Sequence, residues 1–210
     1  KYNGGSIDNQ GIDFNVLYNK QYKNGGFFVG GNMLWAKNKI IDLKEIAYKY
    51  AHQYRKGHSI GTRFGFETNG LYTHPDQLVN APTGSFGSPV LGDIVYKNQN
   101  PEDDNVIDES DMVALGNSLP EIIFGATLGG NYKGFDIQCN LEGSSLFSTH
   151  YIPNKFTPYA YENRWNPNDP AVQTAYPGLS ISREYNTQTS DFWQKKTSLL
   201  RISSAEVGYT

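Results

Sequence analysis

Cysteine, methionine and net charge are all scarce in this chain. Cys139 is the single cysteine among 210 residues, which excludes an intrachain disulfide and a thiolate metal cluster. It stands in an apolar alternation, where a small buried or lipid-facing hydrophobe is the natural reading of an unpaired thiol. The formal charge is −3, so the basic footprint of a nucleic-acid binder is missing. No apolar run reaches the roughly 20 residues of a membrane-spanning helix. That absence leaves a spanning barrel open, because a barrel strand needs only about 9–11 residues with every second one apolar.

Catalytic signatures are missing too. His52, His58, His74 and His150 are scattered without the spacing of a zinc helix. Gly143-Ser144-Ser145 lacks the elbow that presents a nucleophilic serine. Glu102, Asp103 and Asp104 are consecutive acids, which cannot flank a glycosidic bond with fixed geometry. There is no phosphate loop, and the residues point away from an enzyme.

What is present favours β structure. Fifteen Tyr, eleven Phe and 22 Gly suit pleated surfaces and the turns between them. In Gly11–Tyr18, Ile12, Phe14, Val16 and Tyr18 point one way while Asp13 and Asn15 point the other. A polar turn around Lys23-Asn24-Gly25-Gly26 leads into Phe27–Ala36, and the two runs read as a hairpin. Ile122, Phe124, Ala126 and Leu128 share a face, a turn follows at Gly130–Gly134, and Phe135, Ile137, Cys139 and Leu141 alternate with polar neighbours. Ser198–Tyr209 closes the series, with its apolar face switching near Ser203 and Ser204 as a β-bulge would produce. Strands are thus expected near 10–19, 26–36, 121–129, 134–143 and 197–209. Between them, 37–120 and 144–196 are long loops. Within the first, a short helix is expected in Ile40–Tyr54, from the spacing of Ile41, Glu45 and Tyr48. A small hairpin is expected in Thr62–Tyr72 around Asn69-Gly70.

Short and long connections alternate, as they do in antiparallel transmembrane barrels. A stretch as long as 37–120 counts against a compact soluble domain. An ordinary half-buried antiparallel sheet is the competing reading. The chain starts at Lys1 and stops within a strand-like Val207-Gly208-Tyr209-Thr210, so a segment of a longer protein is expected.

Four segments, in order, resemble the C-terminal half of the SusC/RagA family of TonB-dependent outer-membrane transporters. They are Asn9–Phe14; Gly57–Leu71, which carries Asn69 before Gly70 and lacks the family's proline; Gly92-Asp93-Ile94 through Gly134-Phe135-Asp136; and Arg164–Pro177 with Leu200-Arg201-Ile202 and Val207-Gly208-Tyr209. The resemblance implies part of a large plugged barrel in the Gram-negative outer membrane, 1–210 lying wholly within its β-barrel domain. The plug and the TonB-binding segment would lie upstream, and both long loops would be extracellular. It implies import of oligosaccharides or peptides, energy from a TonB complex, and a SusD-like surface lipoprotein as partner. A secreted or surface-anchored β-rich carbohydrate-binding module is the alternative.

The resemblance also implies a calcium loop, since hard cations take several oxygens at close spacing. Its members here would be Asn98, Asp104, the Val106 carbonyl, Asp108 and Asp111, with Asn105 in place of the usual turn glycine. A solvated acidic loop packed down by Ile107 is the other reading. In the second long loop, Tyr151, Phe156, Tyr159, Tyr161, Trp165 and Tyr176 concentrate rings. Tyr159, Tyr161 and Trp165 are candidates for stacking on sugar, against loop-on-loop packing or contact with the capping lipoprotein.

Overall fold

A computed structural model describes residues 4–101, 104–151, 156–169, 174–179 and 184–210. Its strands in chain order are β1 (Ser6–Tyr22), β2 (Gly25–Asp42), β3 (Thr62–Gly65), β4 (Thr68–Leu71), β5 (Thr83–Gly84), β6 (Ile94–Tyr96), β7 (Val106–Ile107), β8 (Val113–Asn117), β9 (Ile122–Tyr132), β10 (Phe135–His150) and β11 (Gln194–Tyr209). Five of them form one sheet in the order β1-β2-β9-β10-β11, antiparallel throughout. The strands run longer than the alternation alone suggested, with 18 residues in β2 and 16 each in β10 and β11.

Register turns local alternation into two continuous surfaces. Tyr18 lies opposite Val29, Val29 opposite Leu128, Leu128 opposite Cys139, and Cys139 opposite Ala205. Because side chains alternate with period two, each such row lies on a single face. Phe14, Met33 and Phe124 make another row of that face, which continues to Gly143 and Leu200. These side chains are not sealed in a core: Phe14 is 54% exposed, Ile137 60% and Val207 77%. An apolar face this broad and this open is suited to lipid. The apolar positions of β2 run from Phe27 to Trp35, matching the about 9–11 residues of a tilted membrane-spanning strand.

Aromatics gather at the short-turn end. Tyr18 and Tyr22 pack on Phe27 with centroids 5.9 and 6.4 Å apart, and Phe135 packs on Tyr209 at 4.6 Å. Such rings suit the headgroup level. Trp35, one residue short of the end expected for its strand at 36, sits well within the longer β2, opposite Ile122 where β9 begins. Both short connections are two-residue turns, Lys23-Asn24 and Lys133-Gly134. In the second, both residues take positive φ, 49° and 88°, the geometry that matches strand twist. At the bulge in β11, Asn140 pairs with Ser204 and Leu141 with Ile202, leaving Ser203 over.

Two expectations for the long loops are corrected. No helix forms over Ile40–Tyr54: β2 continues to Asp42 and only a 3-10 turn, Ala51–Gln53, follows. Extension of the hairpin wins because Ile40 becomes buried while its N–H donates to the His58 carbonyl. Thr62–Tyr72 is not a hairpin either. β3 pairs with β8 and β4 with β6, so the Asn69-Gly70 turn signal is used within β4, where Gly70 has φ +82°.

The two long loops share one aromatic core. Phe66, Ile94, Tyr96 and Ile107 from the first meet Ala160, Tyr176, Tyr185 and Trp193 from the second, with Phe86 and Phe192 packed against them. Phe66, Phe86, Tyr96 and Tyr185 pack ring against ring with centroids 5.0–5.7 Å apart. Among the described residues no helix is long and apolar enough to cross a membrane.

Charge placed on the open apolar face should cost stability that the same charge on the opposite face does not. Leu128→Arg is expected to lose about 2–4 kcal/mol, and Gln138→Arg close to none. Urea refolding of the intact protein into lipid vesicles reads the difference.

Candidate functional site

The face opposite the apolar one is polar and laced together. The Thr127 hydroxyl donates to Asn140 Oδ1 at 2.5 Å, and Asn140 Nδ2 donates to Ser204 Oγ at 2.8 Å. One row away, Arg201 Nε and Nη2 reach Glu142 Oε1 at 2.9 and 2.7 Å. Asn15 and Asn32 continue that row across β1 and β2. In a closed barrel this face lines the lumen, where water satisfies polar side chains. The signal was present in the alternate positions of each strand. The joining of Thr127 to Ser204, far apart in sequence, was not.

The seam between the loops is fixed by a buried Asp93 and a half-buried Asn186, whose pairing local sequence did not reveal. Asp93 Oδ2 accepts from the Val90 N–H at 2.9 Å, and its Oδ1 accepts from Asn186 Nδ2 at 2.9 Å. Asn186 Oδ1 accepts the Ile94 N–H at 2.9 Å, and the Asn186 carbonyl accepts from Trp193 Nε1 at 2.7 Å. The Tyr96 hydroxyl donates to the Tyr185 carbonyl at 2.7 Å. Burial first, then the neighbouring Tyr185 and Asp93, push its pKa up, so it stays a protonated donor.

The acidic loop closes on its own amides. Asp111 is 1% exposed; its Oδ1 accepts from the Gln99 N–H at 2.7 Å and its Oδ2 from the Asp108 N–H at 3.0 Å. Asp108 Oδ1 accepts from the Ser110 N–H at 2.7 Å, and Asp104 Oδ1 from the Val106 N–H at 3.1 Å. Asn98 Oδ1 accepts from the Asn100 N–H at 2.7 Å, while its Nδ2 donates to the Asp104 carbonyl at 3.0 Å. Ile107 is fully buried beneath them. Asn98, Asp104, Val106, Asp108 and Asp111 are therefore near one another but act as turn-formers. Among the described residues no three His, Cys, Asp or Glu side chains converge as metal ligands would. Glu102 and Asp103 lie outside the described residues.

The aromatic candidates separate. Trp165 is buried, its backbone N–H donating to the Tyr176 carbonyl at 2.9 Å. Its ring lies flat on Gly92, where φ is +86° and any Cβ would strike the indole. That position is structural, because burial of the ring leaves no face for a sugar. Tyr159 and Tyr161 are exposed. Tyr159 packs edge-on to Tyr176 at 5.8 Å. The Arg164 guanidinium lies 3.7 Å from the Tyr161 ring centroid and donates to the Tyr161 carbonyl, so one face of Tyr161 is already covered.

With this geometry in view, the chain is an outer-membrane type of antiparallel barrel wall, carrying a folded cap of two loops at one end. No family model matches it. It is 25% identical over 228 aligned residues to the TonB-dependent receptor P26 of Formosa agariphila, covering 99% of this chain and 22% of that receptor. Among solved structures it is similar to the RagAB peptide importer in its open-open state, with a TM-score of 0.68, 15% identity and coverage of 98% of this chain and 22% of that one. A further RagAB peptide transporter structure gives a TM-score of 0.67, again at 15% identity, with 98% and 23% covered. Sequence and fold together make the chain SusC/RagA-like, and its place is the outer membrane. It spans about a fifth of the length of the proteins it matches.

Removing the Asp111 carboxylate strands two amide donors in a buried place, so Asp111→Ala should cost the loop about 3 kcal/mol, while Asp104→Ala on the exposed turn costs under about 1 kcal/mol. Protease cleavage between Gln99 and Asp111 in the intact protein reports both. Calcium is a separate measurement. Titration of the intact protein, with and without Asp104→Ala/Asp108→Ala, tests whether carboxylates that also accept N–H groups hold the ion; uptake that the variant leaves unchanged would exclude the loop. One-to-one uptake lost in that variant would establish the ion.

Proposed function

We propose that this chain forms five strands of the wall, and much of the external cap, of a TonB-dependent importer of oligomeric nutrients. The observation that carries this reading is the sheet itself. One face is apolar across every strand and open, the other is polar and cross-linked, and short turns alternate with long folded loops. A water-soluble binding module would have to leave that apolar face in water, where a patch of such breadth invites association. The likeness to a TonB-dependent receptor over nearly the whole chain, and to the RagAB peptide importer in fold, supports the same reading.

The cargo is an oligosaccharide or a peptide. Exposed Tyr159, and the open face of Tyr161, suit sugar rings or the side chains of a peptide. A SusD-like surface lipoprotein is the proposed partner, seated over the looped end. The exposed Tyr151 and Phe156 belong to the loop such a partner would cover. Energy would come from TonB through segments outside this chain. In this role the chain binds and guides, and transforms nothing.

Two measurements test the proposal. The intact gene product should fractionate with outer membranes and need detergent to stay dispersed. Deleting the gene should abolish growth on one class of oligomer while growth on its monomers continues. An intact product that purifies as a detergent-free monomer would overturn the importer reading.

A further inference from the structure

At the seam between the two loops runs an open groove of about 390 Å³, lined by Arg55, Thr62, Arg63, Phe64, Ser118 and Thr189 among others. Its chemistry is one-sided. Arg55 and Arg63 are exposed, and neither guanidinium has a carboxylate partner among the described residues. The Arg55 guanidinium rests 4.9 Å from the Phe64 ring centroid, which sets its direction without neutralising its charge. The acid near Arg55, Glu45, is turned to backbone: its Oε1 accepts the Arg55 N–H at 2.8 Å and its Oε2 the Lys56 N–H at 3.1 Å.

The groove is also built rather than incidental. Arg63 is held by the pairing of β3 with β8, opposite Gly116. Thr189 arrives from the other loop, its carbonyl accepting the Phe66 N–H at 2.9 Å. The Ser118 hydroxyl donates to the Gly61 carbonyl at 2.8 Å, closing that wall. Among the described residues, then, two guanidinium groups without a carboxylate partner face a groove that no carboxylate lines, in a chain of net charge −3. Guanidinium groups match planar and tetrahedral oxyanions through paired N–H donors.

We propose that this groove binds the carboxylate or sulfate groups of an anionic oligosaccharide, held between Arg55 and Arg63. This rests on the importer reading, narrowing its cargo from oligomers in general to acidic ones. Groups of this kind placed at the looped end would also draw such a cargo in from solution, since like-signed cations in a cleft focus the field on an approaching anion.

The test uses the intact protein in detergent and isothermal titration with four probes: a chondroitin sulfate tetrasaccharide, a tetragalacturonate, neutral maltotetraose and an acidic lipopolysaccharide headgroup fragment. Both acidic oligosaccharides are expected to bind and the neutral one is not. Arg55→Gln and Arg63→Gln should each weaken acidic binding about tenfold or more, as loss of one charged hydrogen-bonding partner does. Affinity should fall as salt rises. Both variants remove exposed side chains, so their melting should match the unaltered protein. Equal binding of acidic and neutral probes, or variants that bind acidic probes unchanged, overturns the proposal. An acidic lipopolysaccharide headgroup fragment that binds while both oligosaccharides do not would assign the groove to lipid and overturn it too. Failure of the importer reading is seen elsewhere, in solubility and growth, and leaves this binding measurement intact.

Discussion

Everything in this chain depends on one register. A pleated strand sends successive side chains to opposite faces, so a slip of one residue between β2 and β9 would turn the apolar face inward and the polar face out. Val29 opposite Leu128 and Leu128 opposite Cys139 keep the apolar rows continuous. The two-residue turn at Lys133-Gly134, with both φ values positive, pins that register at one end. The bulge that leaves Ser203 over adjusts it further along β11. The fixed register is what allows Thr127, Asn140 and Ser204 to meet on one face and Glu142 to meet Arg201 on the next row.

Beyond the sheet, the physics changes sign. The sheet shows its apolar side chains outward, whereas the loops bury theirs in a common centre around Phe66, Tyr96, Tyr185 and Trp193. Buried aromatics bring large apolar area, and their offset contacts contribute about 0.5–1.5 kcal/mol per pair beyond it. Of the polar groups beside that centre, Asp93 and Asn186 bind each other and the backbone on both sides of the seam. The groove beside Arg63 and the exposed Tyr159 are thus mounted on a folded platform.

Much of the architecture was legible in the residues. Alternation in Gly11–Tyr18 and in Phe135–Leu141 follows directly from strand geometry, and the Ser203–Ser204 switch marked a bulge. The misreadings fell in the loops. Ile41, Glu45 and Tyr48 have helical spacing, yet three matching positions over two turns are weak against the gain from extending a hairpin and burying Ile40. Thr62–Tyr72 carries a turn dipeptide, yet each half finds a distant partner. Trp165, for which the sequence left sugar stacking and loop packing both open, lies buried against Gly92. In the acidic loop the carboxylates of Asp104 and Asp108 turn to amides two residues on, while Asp111 also reaches the Gln99 N–H twelve residues back, a contact that local spacing does not reveal.

The sequence by itself determined which residues share a face, where the tight turns fall, and that two long loops must fold at the same end. Those properties are local, because a period of two and a positive φ are decided by a residue and its immediate neighbours. Tertiary structure alone decided that the loops share a core, that Asp93 meets Asn186 93 residues later, and that Arg55, Arg63 and Thr189 border one groove. Contacts at such separation leave no periodic trace in the chain, since they are chosen by shape and burial after the strands have set where each loop begins and ends.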